Sequence, residues 1–428
     1  MRLDRDRLDR LLRPYQRRRE RALQIRPQAP QPHTSPGFVA LEAIAGAREH
    51  VTPAGTCLLV ERRYPLDTER GGVSLGELAT LPADVAEWLD QEPVHLAGAL
   101  FIDAETTGLA GGTGTLAFMV GVGELEGEAF VVRQYFLRSP EEEPALLHAL
   151  SERWRDRSGV VTFNGRAFDL PLLETRFRLN GARVALDQPH FDVLNSARRL
   201  WRRRLPSCAL TALERDVLGY QRDAADVPGW LIPTLYQQYL QVRDLHAVAG
   251  IFYHNREDIL SMAALSVLLG RACLGLDGLH PADAVSLAIA RAGAGDVERA
   301  ETLLRWALER RLAPPIRRLA YSHLGHLLKR QERWDDAVAV WARWADDGPT
   351  ADVEPYEELA KYYEWHAKDL DQALRWTDRA CHLAETWNDP LARRRALADL
   401  KHRLERLQRK IARQAADQDI APSTEDEH

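Results

Sequence analysis

The sequence predicts an α/β domain, with a mixed central sheet flanked by helices, continued on its C-terminal side by an all-α solenoid of repeated helix pairs. Two observations lead there. Residues 98–275 alternate short apolar runs with amphipathic stretches, the pattern of strands interleaved with helices. From residue 281 the helical pattern stands alone and returns about every 36 residues.

The elements follow in chain order. Residues 1–36 read as an Arg-rich helix with a thin apolar stripe (Leu3, Leu8, Leu11, Leu12), then a linker with four prolines between Arg26 and Pro36. Residues 37–97 make a small accessory region, with a strand expected at Cys57–Arg62 and a helix near Pro82–Asp90. In 98–275 the run Ala99–Asp103 is a short strand. Leu116–Gly123 and Ala129–Phe136 continue it as a meander that turns at Glu126-Gly127. Glu142–Arg155 is an amphipathic helix, Val160–Phe163 a buried strand, and helices dominate after Asp169.

Residues 281–416 are expected to form the solenoid. Leu287-Ala288, Leu324-Gly325 and Leu359-Ala360 each begin a unit, and each is followed by a polar turn and an alanine at Ala300, Ala337 and Ala373. The spacing is close to the roughly 34 residues of tetratricopeptide repeats, and the small residues allow paired helices to approach. Trp306, Trp334, Trp341, Trp344 and Trp376 are expected to pack these helices. The last unit ends near Glu385, an Arg/Lys-rich helix follows, and residues 417–428 read as an acidic, unstructured tail.

Composition narrows the function. With 45% hydrophobic and 28% charged residues the chain has the balance of a soluble globular protein. No apolar run approaches the roughly 20 residues of a membrane span, and Met1–Glu20 lacks the apolar core of a secretory signal, so a cytoplasmic protein is expected. Four scattered cysteines (Cys57, Cys208, Cys273, Cys381) argue against a zinc ribbon or a disulfide framework. The net charge of −6 does not exclude a nucleic-acid partner, because it is unevenly spread: residues 1–30 hold ten arginines against four acids, and Ala197–Leu205 holds five arginines around Trp201.

Chemistry is carried by four acids in three segments. Asp103-Ala-Glu105 ends the first strand, where period-two geometry points both carboxylates to one side of the sheet. Asn164-Gly-Arg-Ala-Phe-Asp169 follows a buried strand and opens a helix. His254-Asn-Arg-Glu-Asp258 lies in a late helix, with imidazole and carboxylate one turn apart on one face. Carboxylates brought together repel unless a cation lies between them, and hard divalent cations select oxygen ligands. Asp103, Glu105, Asp169 and Asp258 are therefore expected to hold two Mg²⁺ or Mn²⁺ ions, with His254 placed to accept the proton of an attacking water. The bland alternative for Asp103 and Glu105 is a solvated strand end. Asn164 and Asp169 are also candidates for helix capping.

The pattern D-x-E, then N-x-x-x-F-D, then His or Tyr before a late Asp resembles the DnaQ-like (DEDD) exonucleases of the ribonuclease-H-like superfamily. More closely, the chain resembles the bacterial YprB family, predicted nucleases with a ribonuclease-H-like domain followed by tetratricopeptide repeats. The resemblance covers most of residues 50–270, including Cys57–Asp67 and Phe101–Gly114. It implies Asp103, Glu105 and Asp258 as main metal ligands, Asp169 binding through water or the second metal, and His254 assisting as base. One departure stands out. Such enzymes place His five residues before the last Asp, or Tyr four before it, whereas here His254 is four before and Tyr253 five before.

Substrate contacts are expected from Thr106, Thr107, Gly108, Asn164, Phe168, Arg198 and Arg202. The glycine-rich stretch Gly108–Gly114 lacks a G-K-[ST] ending and leads into a strand, so it is no nucleotide-binding P-loop. It serves either close backbone approach to a strand end or a tight connection. The threonines bond either the substrate or the backbone. The Arg198–Arg204 cluster with Trp201 is either a phosphate grip with a stacking ring or a solvated helix face over a buried Trp. The function expected is two-metal hydrolysis of phosphodiester bonds, 3′→5′ from the ends of single-stranded DNA or RNA. Its rivals are a structure-selective endonuclease and a repeat scaffold that binds a protein partner beside a weak nuclease domain.

Overall fold

The computed structural model describes residues 44, 46–82, 85–89, 92–108, 114–181, 187–275, 278–347 and 352–420. The Arg-rich helix and linker expected at 1–36 lie outside these, as do residues 109–113 of the glycine-rich stretch and 421–428 of the tail.

Seven strands form one mixed sheet: β1 (Ala47–Thr52), β2 (Gly55–Pro65), β3 (Leu100–Thr106), β4 (Ala117–Glu126), β5 (Ala129–Phe136), β6 (Val160–Thr162) and β7 (His190–Asp192). Their order is β1-β2-β5-β4-β3-β6-β7. The β3–β4–β5 meander is antiparallel, whereas β6 and β7 join β3 in parallel. The accessory region supplies β1 and β2, a hairpin that extends the same sheet along β5. The strand expected at Cys57–Arg62 lies within β2, and only the tertiary pairing shows what it joins. The helix expected at Pro82–Asp90 is a single 3₁₀ turn, Glu87–Leu89, among the described residues.

Helices cover both faces. They are α1 (Glu143–Trp154), α2 (Asp169–Leu179), α3 (Val193–Trp201), α4 (Leu210–Leu213, running into a π turn at Glu214–Leu218), α5 (Ile232–Val242) and α6 (Ala249–Leu274). One core packs α1, α2 and α5 against the sheet. The other packs α3 and most of α6 against it and continues into the C-terminal helices. On β3, Leu100 and Ile102 enter the first core and Phe101 the second. Strand alternation then puts Asp103 and Glu105 on the side of α6.

The α6 helix crosses the sheet closely because β4 carries glycines there. A Cβ on Gly121 would lie 2.0 Å from Asn255 Oδ1, and one on Gly123 2.5 Å from Ile259. Arg70, just after β2, ties the hairpin region to the same helix through Glu257 at 2.7 Å and Ser261 at 3.0 Å. Both ion-pair partners are buried, an arrangement that is strongly destabilising to break from one side.

The C-terminal helices are α7 (Pro281–Gly293), α8 (Val297–Leu308), α9 (Pro314–Arg330), α10 (Trp334–Asp346), α11 (Glu354–Trp365), α12 (Leu370–Glu385) and α13 (Pro390–Ile420). The expected small contact residues Ala288, Ala300, Ala337, Ala360 and Ala373 are all fully buried. Gly325 faces Trp341, whose Nε1 would lie 2.2 Å from an added Cβ, so the indole fills the space a side chain would need. Trp341 and Trp344 are buried between the helices. The last helix runs to Ile420, beyond the expected end at 416. Among the described residues no helix is long and apolar enough to cross a membrane.

Candidate active site

The C-terminal end of β3 delivers Asp103 and Glu105, the start of α2 delivers Asp169, and the second and third turns of α6 deliver His254 and Asp258. Asp103, Asp169, His254 and Asp258 are each fixed by side-chain hydrogen bonds. Asp103 is held by Asn255, whose Nδ2 donates to the Asp103 carboxylate at 2.8 Å and to its carbonyl at 3.1 Å. Asn255 is in turn oriented by Gln134 Nε2, which donates to its Oδ1 at 3.0 Å. Asp169 is the first residue of α2, not its cap, and its Oδ1 accepts from the Ala104 N–H at 3.2 Å. That bond ties the start of α2 to the strand carrying the other two acids.

The loop between β6 and α2 is shaped by Asp192, at the end of β7. Its carboxylate accepts from the N–H groups of Asn164 at 2.8 Å, Arg166 at 3.3 Å and Leu194 at 3.1 Å. Asn164 sits at φ 67°, in the left-handed region that Asn tolerates better than most residues. Its expected capping role is absent, since Phe168 is the N-cap of α2 and no side chain caps it.

His254 and Tyr253 part company. Tyr253 Oη accepts from the Asp223 N–H at 3.1 Å, and its ring lies against Arg256. His254 instead turns Nε2 to 3.6 Å from Asp258 Oδ2. Its Nδ1 meets Asp226 Oδ1 at 2.7 Å, so a proton belongs on Nδ1, and Nε2 is the nitrogen that faces Asp258. Arg222, four residues before Asp226, bonds Asp258 Oδ1 and is itself anchored on buried Glu214 by two contacts of 2.8 Å.

Electrostatics mark the four acids as one cluster. Burial, then the charges of Asp258, Glu105 and Asp169, pushes the Asp103 carboxyl well above its ordinary value. Burial raises Glu105 to about 8 against the opposing pull of His254, with Asp258 and Asp169 adding to the rise. Burial raises Asp169 to about 7, partly offset by its bond from Ala104. Burial lowers His254, but Asp258, Glu105 and the bond to Asp226 outweigh it and leave the ring above its ordinary value.

An all-oxygen set of crowded carboxylates is the donor chemistry of Mg²⁺ or Mn²⁺. A divalent cation would relieve both the repulsion and the loss of solvation. Among the described residues, however, no three His, Cys, Asp or Glu side chains converge closely enough to cage an ion as they stand, and Arg222 already pairs with Asp258. The fit is one of donor chemistry and not of finished geometry.

The expected substrate contacts divide. Thr106 Oγ1 donates to the Gly108 carbonyl at 2.7 Å and Thr107 Oγ1 accepts from the Leu116 N–H at 3.0 Å, so both hydroxyls bond the backbone. Gly108 has room for a Cβ and no left-handed φ, so nothing in its own conformation requires glycine. Phe168 is 57% exposed immediately before Asp169. Arg198 and Arg202 are exposed one turn apart at the end of α3, while Trp201 beside them is buried and unable to stack a base.

Asn255, Asp192, Arg222, Asp226 and Gly121 were missed from sequence. Asp192 ends the three-residue strand His190-Phe191-Asp192, whose single apolar residue made no run to flag it. Asn255 lay inside the quoted His254–Asp258 segment. Arg222 and Asp226 sit in a loop with no periodicity to flag them. Trp230, 68% exposed, follows Gly229, where an added Cβ would lie 3.9 Å from His254 Nε2.

Residues 100–270 match the model of the RNase_H superfamily, a span that includes all four acids and His254. The chain is also 30% identical over 335 residues to the uncharacterized protein YprB of Bacillus subtilis (strain 168), covering 76% of this chain and 80% of that protein.

Proposed function

This chain belongs to the YprB-like family of the RNase_H superfamily, and on that footing we propose that it is a two-metal-ion nuclease acting 3′→5′ on single-stranded nucleic acid. A nuclease follows from the superfamily, and the polarity from the resemblance to DEDD exonucleases. The observation that carries the reading is that β3, α2 and α6 bring carboxylates from three distant segments to one end of the sheet, Asp169 bonded to the Ala104 N–H between Asp103 and Glu105 and His254 facing Asp258.

Asp103, Glu105, Asp169 and Asp258 would hold Mg²⁺ or Mn²⁺, which when bound supplies an activated water and neutralises charge on the scissile phosphate. His254 accepts the water's proton at Nε2, while Asp226 stabilises the resulting imidazolium through Nδ1. Neutralising Asp258 and Glu105 also removes the charges that raise His254, which favours the neutral ring able to take a proton. Asn255 and the Ala104 N–H keep Asp103 and Asp169 aimed at the cluster. Phe168 and Trp230 offer exposed rings beside it for unpaired bases, which is the reason to favour single strands.

The test is degradation of 3′-labelled and 5′-labelled single strands, DNA and RNA, by the parent and Asp103→Ala, in Mn²⁺ or Mg²⁺ and in EDTA. Metal-dependent shortening from the 3′ end, lost in the variant, is expected. Cutting of circular single strands would replace the exonuclease by an endonuclease. No cleavage at all by the parent would leave a binding scaffold.

A further inference from the structure

The helical region holds two glutamates where a folded chain least tolerates them. Glu358 and Glu364, both on α11, are buried, and a buried carboxylate is costly unless paired. Glu358 accepts from Lys329 and Lys361, each at 2.6 Å. Glu364 accepts from Arg403 at 3.1 Å and from Arg406 and Lys410 at 2.7 Å. Five cations thus surround two anions, and each cation keeps part of its surface in solvent. One cation per carboxylate would balance the charge. Glu357, close to Lys361 and Arg403, and Asp399 beside it offset part of the excess, and the remainder leaves the wall formed by α9, α11 and α13 modestly basic. Glu357 and Asp399, in the next cleft beyond Arg403, bound it on one side.

Aromatic rings lie along the same wall. Trp365 is 56% exposed at the end of α11, with Lys410 Nζ 4.1 Å and the Arg406 guanidinium 5.7 Å from its ring. Across a cleft of about 390 Å³, the rings of Trp334 and His366 lie 3.7 Å apart, with Tyr362 behind them. Packing explains Trp341 and Trp344, which are buried, but not a tryptophan left in solvent among cations.

We propose that this cleft binds single-stranded nucleic acid, with a base stacked on Trp365 and phosphates on the surplus cations. Flat rings interleaved with positive charge are the combination that holds single strands without sequence preference. An acidic peptide would use the cations and leave the rings unexplained. The site lies outside the carboxylate cluster. It gives the nuclease a second hold on its strand, and only the choice of a nucleic acid over another polyanion rests on the nuclease reading.

The experiment is fluorescence anisotropy of a labelled oligothymidylate of about 20 nucleotides with the full chain in EDTA, where cleavage plays no part. Trp365→Ala is expected to weaken binding by about 5- to 150-fold, the range for loss of one stacked base. Trp365→Phe, which keeps a ring, is expected to stay close to the parent, and Lys410→Gln to weaken binding and flatten its salt dependence. Trp365 is exposed, so a melting curve matching the parent's is expected for its variants. Absence of binding by the parent overturns the proposal, as does equal binding by Trp365→Ala and Lys410→Gln. Stronger displacement of the oligonucleotide by polyglutamate would give the cleft to an acidic peptide instead. Binding lost in Trp365→Ala while the parent cleaves nothing would sink the nuclease reading and leave this one standing. Cleavage by a parent whose binding ignores Trp365 would do the reverse.

Discussion

The carboxylate cluster should make the metal-free protein less stable as pH rises, the reverse of what paired acids do. Glu105 and Asp169 are raised to about 8 and about 7 in the fold, from 4.5 and 3.8. Between about pH 5 and 6 the unfolded chain has both ionised while the folded chain retains both protons, and Asp169 then Glu105 release theirs as pH passes about 7 and about 8. The native state therefore binds more protons, and stability is lost as pH climbs toward the folded values. Each retained proton contributes a slope of up to about 1.4 kcal/mol per pH unit, so the two together approach about 2.7. In a chain of this length that is on the order of 5 °C in melting temperature per pH unit. Other groups titrate in the same window, so the informative quantity is the difference between the parent and Glu105→Gln/Asp169→Asn, melted in EDTA from pH 5 to 8. The variant should gain on the parent steadily as pH rises. Mn²⁺ at about 100 times its Kd should return about 2.7 kcal/mol to the parent and little to the variant. Parallel melting profiles for the two proteins, with or without Mn²⁺, would refute the argument that the four acids act as one crowded cluster.

Further expectations concern the residues that hold the cluster. His254→Ala should slow cleavage by about 10²–10⁴-fold if the ring is the base, measured as kcat under saturating strand. An unchanged rate removes that role. Asp226→Ala should cost about 10–100-fold in kcat with little change in KM and should free the His254 ring to exchange tautomers in ¹⁵N spectra. A single fixed tautomer in that variant would mean Asp226 orients nothing. Gly121→Ala should cost about 1–3 kcal/mol, because its Cβ would meet Asn255 Oδ1. It should also weaken Mn²⁺ binding by freeing Asp103, and calorimetry showing parental affinity would argue against that route. Asp103→Asn, which loses no cationic partner and keeps an oxygen for Asn255, should abolish cleavage without lowering the melting temperature, and unfolding instead would make the acid structural.

What the sequence by itself determined was local. Apolar runs joined by a turn at Glu126-Gly127 placed the meander, and Ala129–Phe136 reads from the chain with the bounds it has in the fold. The helical recurrence named the alanines that lie buried between helix pairs. The four acids and His254 were legible because each ends a strand, opens a helix or shares a helical face, and those are short-range patterns. Tertiary structure decided everything that depends on distant segments meeting. The hairpin at 47–65 could not be assigned to the sheet, because pairing with β5 spans about 70 residues and leaves no periodic trace. Tyr253 and His254 were indistinguishable as neighbours in one helix until the loop carrying Asp223 and Asp226 bonded one of each. Asn255 owes its hold on Asp103 to a glycine on another strand that lets the helix in. The cationic wall around Glu358 and Glu364 draws on three helices. A charge pattern in one dimension cannot show such a wall, because Coulomb attraction depends on separation in space and not along the chain.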